Sequence, residues 1–179
     1  MAALLQLSTL IDKLNARAGQ LCDYLILIVC FISAGNAAMR YVFKWSTNGL
    51  LEIQWYLFAA IVLLGASYTL KRNEHVRVDV IYGMLSERKR MWIDAVGMVI
   101  FLLPVTIFMV FLSWPFFWRA FVGGDISMNA GGLLLWPVKL LIPLGFALLS
   151  LQAISELIKR SAALMGVIEQ ETKYEKPLQ

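Results

Sequence analysis

Four stretches of the chain are apolar over about 20 residues, the length that an α-helix needs to cross roughly 30 Å of hydrocarbon. They run at about 21–41, 50–70, 92–121 and 133–157. No internal repeat and no Gly/Ser-rich linker divides the sequence. The pattern therefore predicts an all-α membrane protein, with one membrane domain over residues 1–179 and four transmembrane helices.

The third apolar stretch is longer than one crossing requires. It contains Pro104 and Pro115, and a proline inside a helix removes one backbone hydrogen bond and crowds the preceding turn. We therefore expect this helix to be kinked or tilted.

The N-terminal segment 1–18 has a different pattern, because its apolar residues recur at spacings of three and four. Those residues are Leu4, Leu7, Ile11, Leu14 and Ala18. We predict an amphipathic helix that lies in the cytoplasmic membrane interface before the first span. The alternative is a helical extension of the first span.

The composition fits a membrane protein, since 60% of the residues are apolar and 16% are charged. Twelve of the 16 basic residues lie in the N-terminal segment, the loop at 71–91 and the tail at 158–179. By the positive-inside rule, both termini and that loop are cytoplasmic. The net charge of +4 then reflects the placement of the loops, and no binding of nucleic acid is expected.

Few residues are available for catalytic or redox chemistry. Cys22 and Cys30 are eight positions apart in the first span, and His75 is the single histidine. These residues form neither a CxxC pair nor a zinc set, and they cannot supply a bis-histidine haem within one chain. A small membrane enzyme or redox protein is thus a weak alternative, and we expect neither a catalytic site nor a cofactor or metal.

Charged residues lie toward the ends of the predicted spans, which leaves only weakly polar groups between them. The latter include Ser33, Asn36, Ser67, Thr106, Ser113 and Gln152. Such a distribution disfavours a proton relay or an ion path, and a mid-span Asn or Gln indicates an interhelical hydrogen bond. A second alternative is a homo-oligomeric channel whose pore is lined by Glu52 or Asn36.

Glu52 lies about one turn inside the second span, where a carboxylate is costly unless it is paired. The outer ends of the neighbouring spans carry Arg40 and Lys139. We expect an ion pair between Glu52 and one of these cations. The alternative is a salt bridge from Glu52 to a partner subunit.

The loop after the second span alternates apolar and polar residues at 75–80. The polar positions are His75, Arg77 and Asp79. We expect this strip to fold back along the cytoplasmic end of the helices, with its valines on apolar surface and its charges paired. A short helix at about 79–85 follows.

The third long helix is predicted to begin with Ser86 as its N-cap and Glu87 in its first turn. The next three residues, Arg88, Lys89 and Arg90, are placed for anionic lipid headgroups.

Several short motifs occur in a characteristic order along this chain. They are EIQW at 52–55, GA at 65–66, EHVRVD at 74–79, WPVKLLIPLGF at 136–146 and LQ at 151–152. With these motifs, the sequence resembles the small membrane subunit of tripartite ATP-independent periplasmic (TRAP) transporters. The resemblance extends over the chain to about residue 165.

The resemblance implies a subunit that binds no solute itself. A separate, large multi-span membrane subunit would carry the sodium and substrate sites and move by an elevator-type motion, while a periplasmic binding protein delivers an organic acid. The small subunit would be a separate polypeptide of the bacterial inner membrane that supports the large one and contacts lipid. Its candidate structural or interface residues are Arg40, Glu52, Trp55, Gly65, His75, Arg77, Asp79 and Lys139.

Overall fold

The computed structural model describes residues 1–45, 47–74, 84–129 and 132–168. Within these ranges, four helices are long and apolar enough to cross a membrane. They are α1 (Ala2–Val42), α2 (Asn48–Arg72), α3 (Glu87–Gly123) and α4 (Trp136–Leu164). The prediction of an all-helical protein with four apolar helices is confirmed. The strip at 75–80 and most of the short helix predicted after it lie outside the described residues.

The first helix is continuous from Ala2 to Val42 over 41 residues. No turn separates the predicted interfacial helix from the first span, so the structure agrees with the alternative of a helical extension. Gly19, the residue that could have broken the helix, lies in a tight contact instead. A Cβ atom added to Gly19 would lie 2.6 Å from Cγ of Tyr68 on α2.

The face of α1 that packs against the other helices overlaps the predicted apolar face only in part. Ile11 is buried as expected, but Leu4, Leu7 and Leu14 are exposed, and the polar residues Ser8 and Asn15 are buried in their place. The amphipathic pattern assumes that apolar side chains turn inward, but lipid is as apolar as leucine and does not drive them from the surface. Buried polar contacts determine the orientation of this helix, as described below.

The third helix has the predicted cap position and an irregular turn. Ser86 occupies its N-cap and Glu87 its first turn, although the Ser86 side chain makes no capping hydrogen bond. A π-helical turn at Met98–Leu102 lies just before Pro104. Because Pro104 cannot donate a backbone hydrogen bond and crowds the preceding turn, the wider π-turn accommodates it. Pro115 lies within the regular α-helix.

The fourth helix begins at Trp136 and ends at Leu164. It therefore starts three positions after the predicted boundary and extends beyond residue 157, so that Lys159 and Arg160 belong to a helix and not to a tail. The helix continues because its last turns are packed: Ser155, Glu156 and Arg160 are all buried.

The fourth helix packs against each of the other three. It approaches α2 closely at Gly145, where an added Cβ atom would lie 2.7 Å from the backbone oxygen of Leu63. Gly65 on α2 faces Cys22 on α1 in a looser contact. By contrast, the first span has small residues at four-residue spacing, a pattern that often allows close helix packing, but Ser33, Ala34, Ala37 and Ala38 are exposed.

We predict that Gly145→Ala destabilises the protein, because the new methyl group overlaps the backbone of Leu63. Overpacking of this kind costs about 1–3 kcal/mol. The matched control is Gly35→Ala on α1, where an added Cβ atom has nothing within 4 Å. Thermal unfolding in detergent should show a Tm below the wild-type value for Gly145→Ala and an unchanged Tm for Gly35→Ala. Equal Tm values for the two variants would contradict the prediction.

Candidate functional site

Glu52 is the centre of a polar layer at the start of α2. Its side chain is buried, with 3% of the residue surface exposed. The carboxylate accepts hydrogen bonds from the backbone nitrogen of Leu133 at 3.0 Å, from Nδ2 of Asn129 at 2.6 Å and from Oγ of Ser127. All three donors belong to the connection between α3 and α4. Glu52 therefore fixes this connection, and we call the group the outer layer.

The predicted ion pair between Glu52 and Arg40 or Lys139 is wrong. Lys139 instead donates to Oδ2 of Asp125 at 3.1 Å, and its Nζ lies 4.4 Å from the ring centroid of Phe116. Arg40 is exposed at the last turn of α1. Neutral donors satisfy the Glu52 carboxylate, so it needs no cation. Its burial also disfavours the alternative of a salt bridge to a partner.

The connection between α3 and α4 is shaped to present those donors. Ile126 and Leu134 form an antiparallel bridge, and the backbone nitrogen of Leu135 donates to the oxygen of Asp125 at 2.9 Å. An added Cβ atom at Gly132 would lie 2.1 Å from the backbone oxygen of Ser127, so this position requires glycine. The tight turn thereby directs the Leu133 N–H toward the carboxylate.

Replacing Glu52 with Gln should loosen this connection. The amide puts N–H donors where the carboxylate accepted from Ser127, Asn129 and Leu133, so at least one buried donor loses its partner. We expect hydrogen–deuterium exchange at 125–135 to increase and Tm to fall by several degrees.

The control for this prediction is Glu74→Gln. Glu74 forms an exposed ion pair with Arg72, and such pairs contribute little to stability. Exchange at 125–135 that is the same in Glu52→Gln as in Glu74→Gln would argue against the role of Glu52.

A second polar layer lies near the opposite ends of the helices, and we call it the inner layer. Oδ1 of Asp12 on α1 accepts from Nε2 of Gln152 at 2.9 Å and from Oγ of Ser155 at 2.8 Å. Its Oδ2 accepts from Nζ of Lys159 at 3.1 Å. A single carboxylate thus contacts three side chains of α4.

Gln152 on α4 is fully buried, and its side chain both donates a hydrogen bond to and accepts a hydrogen bond from residues of α1. Its Oε1 accepts from Nδ2 of Asn15 at 2.7 Å, and its Nε2 donates to Asp12 and, at 3.1 Å, to Oε1 of Glu156. The predicted interhelical hydrogen bond is therefore confirmed for Gln152. Other mid-span hydroxyls, those of Ser67, Thr106 and Ser113, donate to carbonyls of their own helices.

The inner layer also includes α2 and α3. Nζ of Lys71 donates to the backbone oxygen of Asp12 at 3.0 Å, and Arg160 on α4 pairs with Asp94 on α3. Lys159 pairs with Glu156 in addition to Asp12. Three cations and three carboxylates thus join the four helices with no net charge.

The two layers are separated by about the thickness of a bilayer core. Glu52 and Lys71 are 19 positions apart on α2, or about 28 Å along the helix. Lys139 and Glu156 are 17 positions apart on α4, or about 25 Å. Between these positions, α2 and α4 contain no Asp, Glu, Lys or Arg. On α2 and α4, the spacing of the layers thus matches roughly 30 Å of hydrocarbon, and we place the membrane borders at the layers.

The described residues contain no group of three or more His, Cys, Asp or Glu side chains that could hold a metal ion. Cys22 is buried and Cys30 exposed, and both are free thiols. A groove of about 410 Å³ beside Lys139 is lined mainly by apolar residues of α2 and α4. The arrangement is suited to holding helices together.

The other predicted site residues are scattered over the surface. Trp55 is exposed on α2, and Arg88 and Lys89 are exposed at the start of α3, with Arg90 half-buried beside them. His75, Arg77 and Asp79 lie outside the described residues. The sites predicted from the sequence did not include Asp12, Asn15 and Ser155, although an Asp and an Asn on one side of an apolar helix were a usable signal.

Gln152→Leu should destabilise the protein by about 2 kcal/mol, because Asp12 and Asn15 lose buried hydrogen-bond partners while the volume stays similar. Denaturant titration in detergent measures this change. The control is Gln20→Leu, which replaces an exposed glutamine on α1. If both variants unfold at the same denaturant concentration, Gln152 does not hold α1 to α4.

Two comparisons with known proteins bear on this arrangement. A family model described as "Tripartite ATP-independent periplasmic transporters, DctQ component" matches residues 29–163. The chain is also similar to the C4-dicarboxylate TRAP transporter small permease protein DctQ of Vibrio cholerae serotype O1. Identity is 33% over 115 residues, which cover 60% of this chain and 49% of the relative. The matched region thus spans about half the length of that curated relative.

Proposed function

Because the chain belongs to the DctQ-component family of TRAP transporters, we propose that it acts as a scaffold for the large membrane subunit of such a transporter. The large subunit would carry the sodium and solute sites and perform the elevator-type movement. The present chain would pack on its static part and hold it in the bilayer. A periplasmic binding protein would deliver the solute.

The observation that carries this proposal is that the buried charges are paired with groups of the same chain. A solute or ion path needs polar ligands near the membrane midplane. Among the described residues, the buried charges lie in the outer and inner layers, and their partners belong to the same chain. The inner layer joins all four helices, and the outer layer joins α2 to the connection between α3 and α4, an arrangement that suits a static support better than a moving or conducting element.

The transported solute is proposed to be an organic acid. The relative from Vibrio cholerae is named for C4-dicarboxylates, and a C4-dicarboxylate is therefore the first solute to test. The sodium and solute sites would lie in the partner subunits. The chain would reside in the bacterial inner membrane, and the excess of basic residues at 1–18, 71–91 and 158–179 favours cytoplasmic termini.

A homo-oligomeric channel is the weaker candidate. Its pore would need Glu52 or Asn36 to face a water-filled path. Glu52 instead accepts three hydrogen bonds from its own chain, and Asn36 is buried. Neither side chain is placed to form a ring around an axis shared by several copies.

Co-expression with its genomic neighbours tests the scaffold proposal. We expect the affinity-tagged chain to copurify with a large multi-span membrane protein in a fixed ratio. Liposomes containing both should take up a C4-dicarboxylate in the presence of sodium and the binding protein. Liposomes containing this chain alone should show neither uptake nor conductance.

Purification of the chain without any large membrane protein would overturn the scaffold proposal, and conductance from the chain alone would favour the channel. The exposed pair Arg72–Glu74 offers a control. Arg72→Gln should leave copurification unchanged, whereas Gln152→Leu, which loosens the inner layer, should lower the yield of the complex.

A further inference from the structure

One face of α3 has an apolar groove of about 330 Å³. It is lined by Trp92, Ile93, Val96, Gly97 and Phe101. The groove exists because Gly97 has no side chain, and a Cβ atom added there would have nothing within 4 Å. We call this surface the α3 groove.

Two cations precede the groove on the same side of the helix. Arg88 and Lys89 are exposed, and residues four positions apart on a helix are surface neighbours. Arg88 therefore neighbours Trp92, and Lys89 neighbours Ile93. The described part of the chain shows no ion pair for either cation, in contrast to the paired Lys159 and Arg160 of the inner layer.

The depth of each part follows from the inner layer. Asp94 belongs to that layer, which marks the hydrocarbon border. Arg88 is six positions further out, about 9 Å along the helix, in the zone of lipid headgroups. Phe101 is seven positions further in, or about 10 Å, among the acyl chains. The two cations at the depth of the lipid headgroups are thus followed along the helix by an apolar groove at the depth of the acyl chains.

We propose that this surface binds an anionic phospholipid, with Arg88 and Lys89 on the phosphate-bearing headgroup and an acyl chain in the α3 groove. Charge complementarity favours an anionic headgroup, since two exposed cations at the membrane border attract anionic lipid. The mainly apolar lining favours a hydrocarbon chain, since Ile93, Val96 and Phe101 have no polar side-chain group. This site is separate from the scaffold role and does not depend on it.

The test is native mass spectrometry of the full-length chain in a neutral detergent. Phosphatidylglycerol and phosphatidylcholine with identical acyl chains are the probes. We expect the wild-type chain to retain phosphatidylglycerol preferentially. The double variant Arg88→Gln/Lys89→Gln should lower its apparent affinity by about 30-fold. The matched control, Lys13→Gln/Arg17→Gln, removes two exposed cations from α1 and should leave that affinity unchanged.

The groove is tested separately with Gly97→Leu. The leucine side chain occupies the groove, and because its Cβ meets no neighbouring atom, the fold should tolerate it with an unchanged helical signal and Tm. We expect this variant to retain less of both lipids.

Three results would overturn the proposal: equal retention of the two lipids by the wild type, unchanged retention by Arg88→Gln/Lys89→Gln, or unchanged retention by Gly97→Leu. If the variants instead lose a copurifying membrane protein while they keep phosphatidylglycerol, the surface is a protein contact. Each of these results leaves the scaffold proposal standing, which is tested by copurification of the unmodified chain.

Discussion

The cost of an unpaired charge in hydrocarbon is the constraint on which the rest of this structure depends. It confines the buried charges to two layers whose separation matches the bilayer core. At the outer layer, Glu52 is stabilised by neutral donors of one tight connection. At the inner layer, Asp12, Glu156 and Asp94 are balanced by cations from two helices, α2 and α4. Each layer joins helices that have no charged contact between the borders.

The same constraint explains why α1 has its polar side turned inward. In water, burial of Leu4, Leu7 and Leu14 would drive the packing of an amphipathic helix. In lipid these leucines gain nothing from burial, whereas Asp12 gains three hydrogen bonds from α4. Polar contacts therefore set the orientation of the helix, and the leucines remain on its outer side.

The number of helices could be predicted from the sequence because a run of about twenty apolar residues is long enough to cross the bilayer as a helix and is rare in other settings. The partner of Glu52 could not, because a backbone N–H such as that of Leu133 carries no sequence signal and Ser127 lies 75 positions away. The ends of α4 were also missed, since Lys159 and Arg160 look like solvated tail residues until Asp12 and Asp94 are placed beside them. Hydropathy therefore identifies the membrane-spanning segments, whereas the contacts that join the helices at the membrane borders depend on three-dimensional packing.

In the described part of the chain, the buried charges of both layers are engaged with groups of the same chain. Opening a path between α1 and α4 would expose Asp12, Gln152 and Glu156 to lipid at once, because they share one hydrogen-bond network. Such a network resists separation of the helices and favours a single arrangement. This resistance is the physical basis of the proposed scaffold role, in which a partner subunit performs the movement.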